Sequence, residues 1–529
     1  MLEVSGDFEI HITAYASQAE KLRAFAAERD VKFVHIMLDR GVYASQPMLS
    51  LNGRGTLIEQ QGAVERWQHE LREAGIHPCR SKIEAAPWCA GVPQSDEQAA
   101  AEPGGRYFEH HVKLLLPSAA VADLMALTDL VAPHGARLSR NARRQFADGA
   151  QERFVNQRCH GVGLVTARQR LDELVETLRV AGHEPTTVEQ EYVVFDSHLP
   201  YDEGWLDSPD PGSSWMLEHE NRMLEHENRM RSAPAGSLDY PPTYQPLPAG
   251  SAVRQRAAFD PALKQYANAY RAGEPDFLVA ATGQLWTEAR RAAMQHVLAA
   301  IAATPSGQHL VLRGSVTMAA WVGDAAREPG DLDFVVTPHT ITSDSTDART
   351  LLDDIKTAIR TTTGAGVRPD RIAESAIWTY ERADGRRLLV PFNTPEAPEG
   401  HVQIDIVFGE ELPLPPETLI LPDVDTPVLA APASLALAWK LLWLATDSYP
   451  QGKDLYDAVL LAEHTTVDQS LVRELMRPEL GAEADTFGAE TVLSWEVDWS
   501  NFTDEYPEIT GNAEQWTRRL ALALDQAWT

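Results

Sequence analysis

The sequence predicts an α+β protein in which a duplicated ferredoxin-like (βαββαβ) N-terminal region is joined by a linker to a C-terminal mixed domain with a helical appendage. Three observations predict it. Two stretches of the first two hundred residues repeat one order of strand and helix signals. A Pro/Gly/Ser-rich segment then interrupts the pattern. Beyond it, apolar strands alternate with helical runs, and the last hundred residues are helical in pattern throughout. The boundaries that follow are 1–98 and 104–200 for the two units, 201–255 for the linker and 256–529 for the C-terminal region.

In the first unit "GDFEIHITAY" (6–15) alternates apolar and polar residues as a half-buried strand does. A helical pattern over 17–29 follows, then the strands "VKFVHIML" and "QPMLSLNGRG", the amphipathic run "AVERWQHELREAGI" and the strand "CRSKIEAAP". The second unit repeats this with "RYFEHHVKLLL", a helix over 118–131, "ARLSRN", "ERFVNQRCHG", "ARQRLDELVETLRVAGH" and "TTVEQEYVVFD". Both amphipathic runs close on glycine, a usual helix stop. The linker contains "MLEHENR" twice in tandem at 216–229, two heptads, which is too short for a stable coiled coil. In the C-terminal region a helix within 275–304 leads into the strand of "GQHLVLRGSV". A second strand is "GDLDFVV", a helix falls in "DARTLLDDIKTAIRTTTG", a hairpin is expected about Asp384-Gly385, and "GHVQIDIVFG" is a further strand.

Composition narrows the function classes. With 44% apolar and 23% charged residues the chain is ordinary for a globular protein, and its 529 residues call for two or three domains. No apolar run is long enough to cross a bilayer, and the acidic N-terminus lacks a secretory profile, so no membrane association is expected. Cys79, Cys89 and Cys159 are too few and too scattered for a disulfide framework or a thiolate zinc site, which points to a reducing cytoplasm. The formal charge of −31 argues against a surface broadly devoted to phosphate backbones. The run "RLSRNARRQF" (137–146), with Arg137, Arg140, Arg143 and Arg144, is the strongest basic cluster; it reads as a solvated loop or as an RNA or regulatory contact. "HITA" matches half of a paired His-x-Thr phosphoesterase motif. His11 finds no second half, because His111 is followed by Val-Lys and neither His35 nor His160 supplies it.

Three features of the C-terminal region carry chemistry. A strand ends in Gly314-Ser315 and enters a helical turn, a geometry that offers backbone N–H groups and a hydroxyl to a phosphate. Asp331 and Asp333, two apart on a strand, point to one face. Asp405 stands alone in an apolar strand, where an uncompensated charge is costly. Neighbouring strands bringing the three carboxylates together would create a repulsion that a divalent cation relieves. Mg²⁺, a hard ion held by carboxylates and substrate phosphates, suits the set, with Mn²⁺ able to replace it. Two such ions about 4 Å apart stabilise both oxygens of an in-line phosphoryl displacement.

"RGSV…DLDFVV…VQIDIVF" resembles the active-site pattern of the nucleotidyltransferase superfamily with a DNA polymerase β-like core. "PASLALAWKLLWLATDSYPQGKDLYDAVLLAEH" resembles the region that marks the AbiEii/AbiGii group, nucleotidyltransferase toxins of abortive-infection and type IV toxin–antitoxin systems. The likeness spans about residues 285–470 and says nothing of the N-terminal half. It implies a polymerase β-like fold for the C-terminal domain and transfer of a nucleoside monophosphate from a nucleoside triphosphate to an acceptor, RNA or protein. By the same likeness, Gly314 and Ser315 would hold the triphosphate, with Arg327 as a nearby basic residue. Asp331, Asp333 and Asp405 would ligate the metals. Lys440 would neutralise the triphosphate, and Asp454 would be a further polar or acid–base group. An antitoxin protein is the implied partner. The alternatives are a non-catalytic sensor or scaffold that retains the fold, and a nucleotidyltransferase of the antibiotic-modifying kind that acts on a small molecule.

Overall fold

The computed structural model describes residues 4–41, 43–117, 120–142, 150–202, 204–206, 253–254, 276–377, 384–393, 399–422, 424, 426–447 and 450–528. The tandem heptapeptide, nearly all of the linker, and Arg143, Arg144 and Phe146 of the basic run lie outside them.

The N-terminal half has the element order βαββαβ twice. Its first copy is β1 (Ser5–Ala14), α1 (Ala19–Glu28), β2 (Lys32–Leu38), β3 (Ser45–Thr56), α2 (Leu57–Glu73) and β4 (Pro78–Ala85). After the short α3 (Asp96–Ala99) comes the second copy: β5 (Tyr107–Leu116), α4 (Val121–Val131), β6 (Ala136–Asn141), β7 (Gln151–His160), α5 (Leu164–Val180) and β8 (Pro185–Asp196). The alternation in "FEIHIT" decides how these elements pack. Phe8, Ile10 and Ile12 go to one face and bury Leu22 and Phe25 of α1 and Val64 and Leu71 of α2; Val112 and Leu114 of β5 do the same for α4 and α5. Burying each such side chain is worth about 1.5–3 kcal/mol, which holds the helices against the sheet. Thr56 caps α2 through a reciprocal box with Glu59.

The two copies do not keep separate sheets, as units lying side by side would. Their edges pair, β2 with β6 and β4 with β8, so eight antiparallel strands close into one barrel in the order β1-β3-β2-β6-β7-β5-β8-β4. Closure removes every exposed edge. The helices cover the outside, so the charged alternate residues, among them Glu9, Lys82, Glu84, Glu109, His111 and Arg158, share the inner face.

A short ribbon pairs β9 (Val253–Arg254) with β10 (Asp276–Phe277). The C-terminal domain follows with α6 (Ala280–Ala302), β11 (Leu310–Arg313), α7 (Met318–Val322), β12 (Leu332–Val336), α8 (Thr346–Thr361), β13 (Ala373–Ala376), β14 (Gly385–Phe392), β15 (Gly400–Val407), β16 (Glu417–Leu419) and β17 (Val428–Ala430). The seven strands form one sheet in the order β13-β14-β15-β12-β11-β17-β16. Gly385 already lies within β14, which pairs with β13 from Ala376↔Arg386 to Ala373↔Leu389. The expected hairpin is this antiparallel pair, and residues 378–383 between its strands are outside the described set.

Leu310, Leu312, Leu332, Phe334, Val336, Leu388, Val390, Ile404 and Ile406 face α6 and α8 and form one core with them. By the two-residue period, Arg313, Asp331, Asp333, Arg387, Gln403 and Asp405 turn to the opposite face. Over that face lies α9 (Ala433–Thr446), whose Leu435 and Trp439 pack with Val311 and Ala431. Helices α10 (Gly452–His464), α11 (Gln469–Leu480), α12 (Ser500–Glu505) and α13 (Ala513–Trp528) build a second core with α7 and α9. The barrel touches this helical part: Val121 enters its core, Arg518 pairs with Asp129 at 2.6 Å, and Arg153 lies 3.4 Å from Glu490. Among the described residues no helix is long and apolar enough to cross a membrane.

Candidate active site

The three aspartates converge because β12 and β15 run parallel in a register that sets Asp333 directly beside Asp405. Asp331 precedes β12 on the same face. One carboxylate oxygen from each of Asp331, Asp333 and Asp405 lies within 4.8 Å of the other two. In the antiparallel pair β11–β12, Arg313 stands opposite Asp333, and the chain turns sharply just after it at Gly314. Gly314 has φ +83° and ψ −166°, a conformation essentially confined to glycine. A Cβ there would sit 2.6 Å from Asp333 Oδ2, so the turn lies directly against the carboxylates. Ser315 is buried at the start of the helical turn, and Thr317 closes it by donating its hydroxyl to the Gly314 carbonyl at 2.7 Å.

The electrostatics of the site are unbalanced. Burial, then the charges of Asp331 and Asp405, push the Asp333 carboxyl well above the usual carboxylate range, against the opposing pull of Arg313 and Lys440. Asp405 is also raised, chiefly by burial, although Arg387 opposes the shift. Arg387 of β14 grips Asp405 with both prongs, Nε to Oδ1 at 2.7 Å and Nη2 to Oδ2 at 2.6 Å, and Gln403 Nε2 donates to Oδ2 at 3.1 Å. The charge of Asp405, expected to be costly in an apolar strand, is thus offset in part by a guanidinium. Arg313 is committed elsewhere: its Nη1 lies 2.9 Å from both Glu410 oxygens, and its guanidinium stacks over Trp439. Arg387 pairs directly with Asp405, and Arg313 and Lys440 act on Asp333 from nearby, yet the Asp333 carboxyl stays raised. Three carboxylates within 4.8 Å of one another fit a divalent cation.

Lys440, Asp454 and Arg327 gather in a neighbouring cluster with Asp457. Lys440 Nζ lies 2.6 Å from Asp454 Oδ1 and 3.1 Å from Asp457 Oδ2. Arg327 forks onto Asp457 at 3.0 and 2.9 Å. Burial works against the Asp454 charge, yet Lys440 and Lys453 hold its carboxyl below the ordinary value. Tyr456 donates to the Ala325 carbonyl at 2.7 Å, tying α10 to the loop before β12. The cluster joins α9, α10 and that loop, and its Lys440 lies close enough to act on Asp333 electrostatically.

Three members of the site, Gln403, Arg387 and Arg313, escape a reading of motifs alone. Gln403 could be found by period-two reasoning, since it shares a face with Asp405, whereas Arg387 is brought to Asp405 by the pairing of β14 with β15. Arg313 immediately precedes the Gly-Ser turn, and Asp457 is the second aspartate of the run that begins at Lys453. Glu410 and Trp439, which hold Arg313, carry no local signal.

Residues 296–525 match the family model described as nucleotidyl transferase AbiEii toxin, type IV TA system. Among solved structures the chain is similar to MenT4, a nucleotidyltransferase toxin from Mycobacterium tuberculosis, at 19% identity and a TM-score of 0.32, over 45% of this chain and 82% of that one. No curated protein matches.

Proposed function

We propose, from the premise that residues 296–525 are an AbiEii-family domain, that this protein transfers a nucleoside monophosphate from a nucleoside triphosphate to an acceptor hydroxyl of RNA or protein. In this reading it is the toxin of a type IV toxin–antitoxin pair, with an antitoxin protein as its partner. The observation that carries the proposal is the meeting of Asp331, Asp333 and Asp405 within 4.8 Å beside the Gly314 turn.

The acceptor oxygen forms a bond to the α-phosphorus while the bond to the bridging oxygen of the β-phosphate breaks, and pyrophosphate leaves. Mg²⁺, or Mn²⁺ in its place, bound by the three aspartates would supply positive charge to the attacking and leaving oxygens. The backbone at Gly314, which leaves no room for a side chain, and the Ser315 hydroxyl would cradle the triphosphate. Asp405, fixed by Arg387 beside the other two carboxylates, would hold the metal and help take the hydroxyl proton. Lys440 and Arg327 would add positive potential from behind while keeping α9 and α10 in place. Alignment and electrostatics, rather than a covalent intermediate, would carry the rate.

The test is transfer by the full chain of label from each α-labelled and each γ-labelled nucleoside triphosphate, with Mg²⁺ or Mn²⁺, in the presence of RNA, protein and low-mass acceptors. The expected result is α-label on RNA or protein and γ-label released as pyrophosphate. Label on a low-mass acceptor alone would assign the small-molecule reading. No transfer to any pool would assign the non-catalytic one.

A further inference from the structure

The inner face of the barrel holds a second convergence of charged groups, and it follows the duplication. In the first copy Glu9 of β1 stands beside Glu84 of β4, and His11 beside Lys82. In the second copy Glu109 of β5 stands beside Glu191 of β8, and His111 beside Glu189. Position for position, His11 and Glu84 correspond to His111 and Glu191. Each pair makes the same diagonal contact: His11 Nε2 lies 2.9 Å from Glu84 Oε2, and His111 Nε2 lies 3.5 Å from Glu191 Oε2. Because β4 and β8 are neighbours, the two His–Glu pairs meet. One ligand atom from each of Glu84, His111 and Glu191 lies within 4.8 Å of the others.

We infer that Glu84, His111 and Glu191 form a binding site for a divalent transition cation inside the barrel, with His11 beside it orienting Glu84. Two further observations point the same way. Asn156 gives its amide nitrogen to Ser139 at 2.9 Å, which turns its oxygen toward His111 Nδ1 at 2.7 Å. His111 then donates from Nδ1 and turns Nε2 toward the carboxylates, the orientation in which a histidine ligates a metal once Nε2 gives up its proton. Although burial opposes it, the contact with Glu191 and the charge of Glu109 raise the His111 imidazole to about 9, so Nε2 faces the carboxylates either as a proton donor or bound to a cation in place of that proton.

The local charge count agrees. Arg80, Lys82 and Arg158 are the cations of a connected network whose carboxylates are Glu84, Glu109, Asp196 and Asp202. Glu191 adds a fifth carboxylate beside Glu84. Among the described residues these carboxylates outnumber the Arg and Lys cations, an excess that one divalent ion or the imidazolium forms of the two histidines would offset. Imidazole with carboxylates suits Zn²⁺ and its neighbours better than Mg²⁺. Glu84 is buried at 1% side-chain exposure, while His11, His111 and Glu191 retain 17%, 22% and 19% on the inner face.

The experiment uses the full chain carrying Asp331→Asn and Asp333→Asn, so that the C-terminal carboxylates do not contribute. The protein is stripped with chelator and titrated with Zn²⁺, then with Co²⁺ as a spectroscopic probe. The site predicts one bound Zn²⁺ per chain, Co²⁺ absorption bands of nitrogen–oxygen ligation and a higher melting midpoint with Zn²⁺. His111→Gln and Glu191→Gln should each weaken binding by at least about tenfold at an unchanged far-ultraviolet spectrum. Should a variant fail to fold, the Zn²⁺-dependent rise in melting midpoint of the parent decides alone. No stoichiometric Zn²⁺, or a full equivalent retained in both folded variants, would overturn the inference and assign the cluster to imidazolium–carboxylate pairing.

Discussion

Two residues put numbers on the account. Gly314 has both a backbone conformation closed to other residues and no space for a Cβ, with Asp333 Oδ2 at 2.6 Å. Gly314→Ala is expected to cost about 1–3 kcal/mol in backbone strain and to reduce transfer far more than it reduces stability, because relief of the clash displaces Asp333. Parallel measurement of melting midpoint and transfer rate checks this; equal losses would make the glycine merely structural. In the barrel, burial pushes Asp39 up to about 6, against the opposing influence of Arg137 and the Leu138 N–H. A carboxyl that holds its proton more tightly when folded contributes stability below its unfolded pKa of about 4, and that contribution is lost as pH rises through about 6. Asp39→Asn cannot ionise, so it should match the parent near pH 4 and exceed it by at most about 3 kcal/mol at pH 7. Denaturant titrations at the two pH values test it, and a variant weaker than the parent at the higher pH would contradict it.

At the scale of elements, β12, β14 and β15 act as one device. Their registers place Asp333, Asp405 and Arg387 in a row, and the opposite face of the same strands forms the apolar core with α6 and α8. Both faces were legible in the sequence, because a period of two separates carboxylates from valines and isoleucines within "DLDFVV" and "VQIDIVF". The arginine was not, since a guanidinium in "GRRLLVPF" has no special spacing and its partner is chosen by strand pairing. Arg387→Leu should leave Asp405 as a buried uncompensated charge and destabilise the domain by about 3–5 kcal/mol in chelator. Added Mg²⁺ should restore part of that loss, whereas a loss indifferent to Mg²⁺ would separate Asp405 from the metal site. Closure of the barrel was similarly hidden. The order of elements in each copy follows from hydrophobic period, but the pairing of β2 with β6 joins segments a hundred residues apart. Nothing in the local pattern records that contact.

On the scale of the whole molecule, the chain joins a barrel lined with charge to a domain with a carboxylate-rich site, through contacts such as Arg518 with Asp129. Each of the two gathers acidic groups within 4.8 Å of one another, and each is proposed to recruit metal. The central claim concerns the C-terminal site, and Asp331 tests it best. It precedes β12 and is less buried than Asp405, so Asp331→Asn removes one charge while conserving shape. The deciding measurement is the Mg²⁺-dependent transfer of α-labelled nucleotide by parent and Asp331→Asn, at matched melting midpoints. The account predicts a fall of at least about 10³-fold with the fold intact, on the scale expected when electrostatic support at the reacting phosphate is lost. A folded Asp331→Asn protein that transfers label at the parent rate would contradict it.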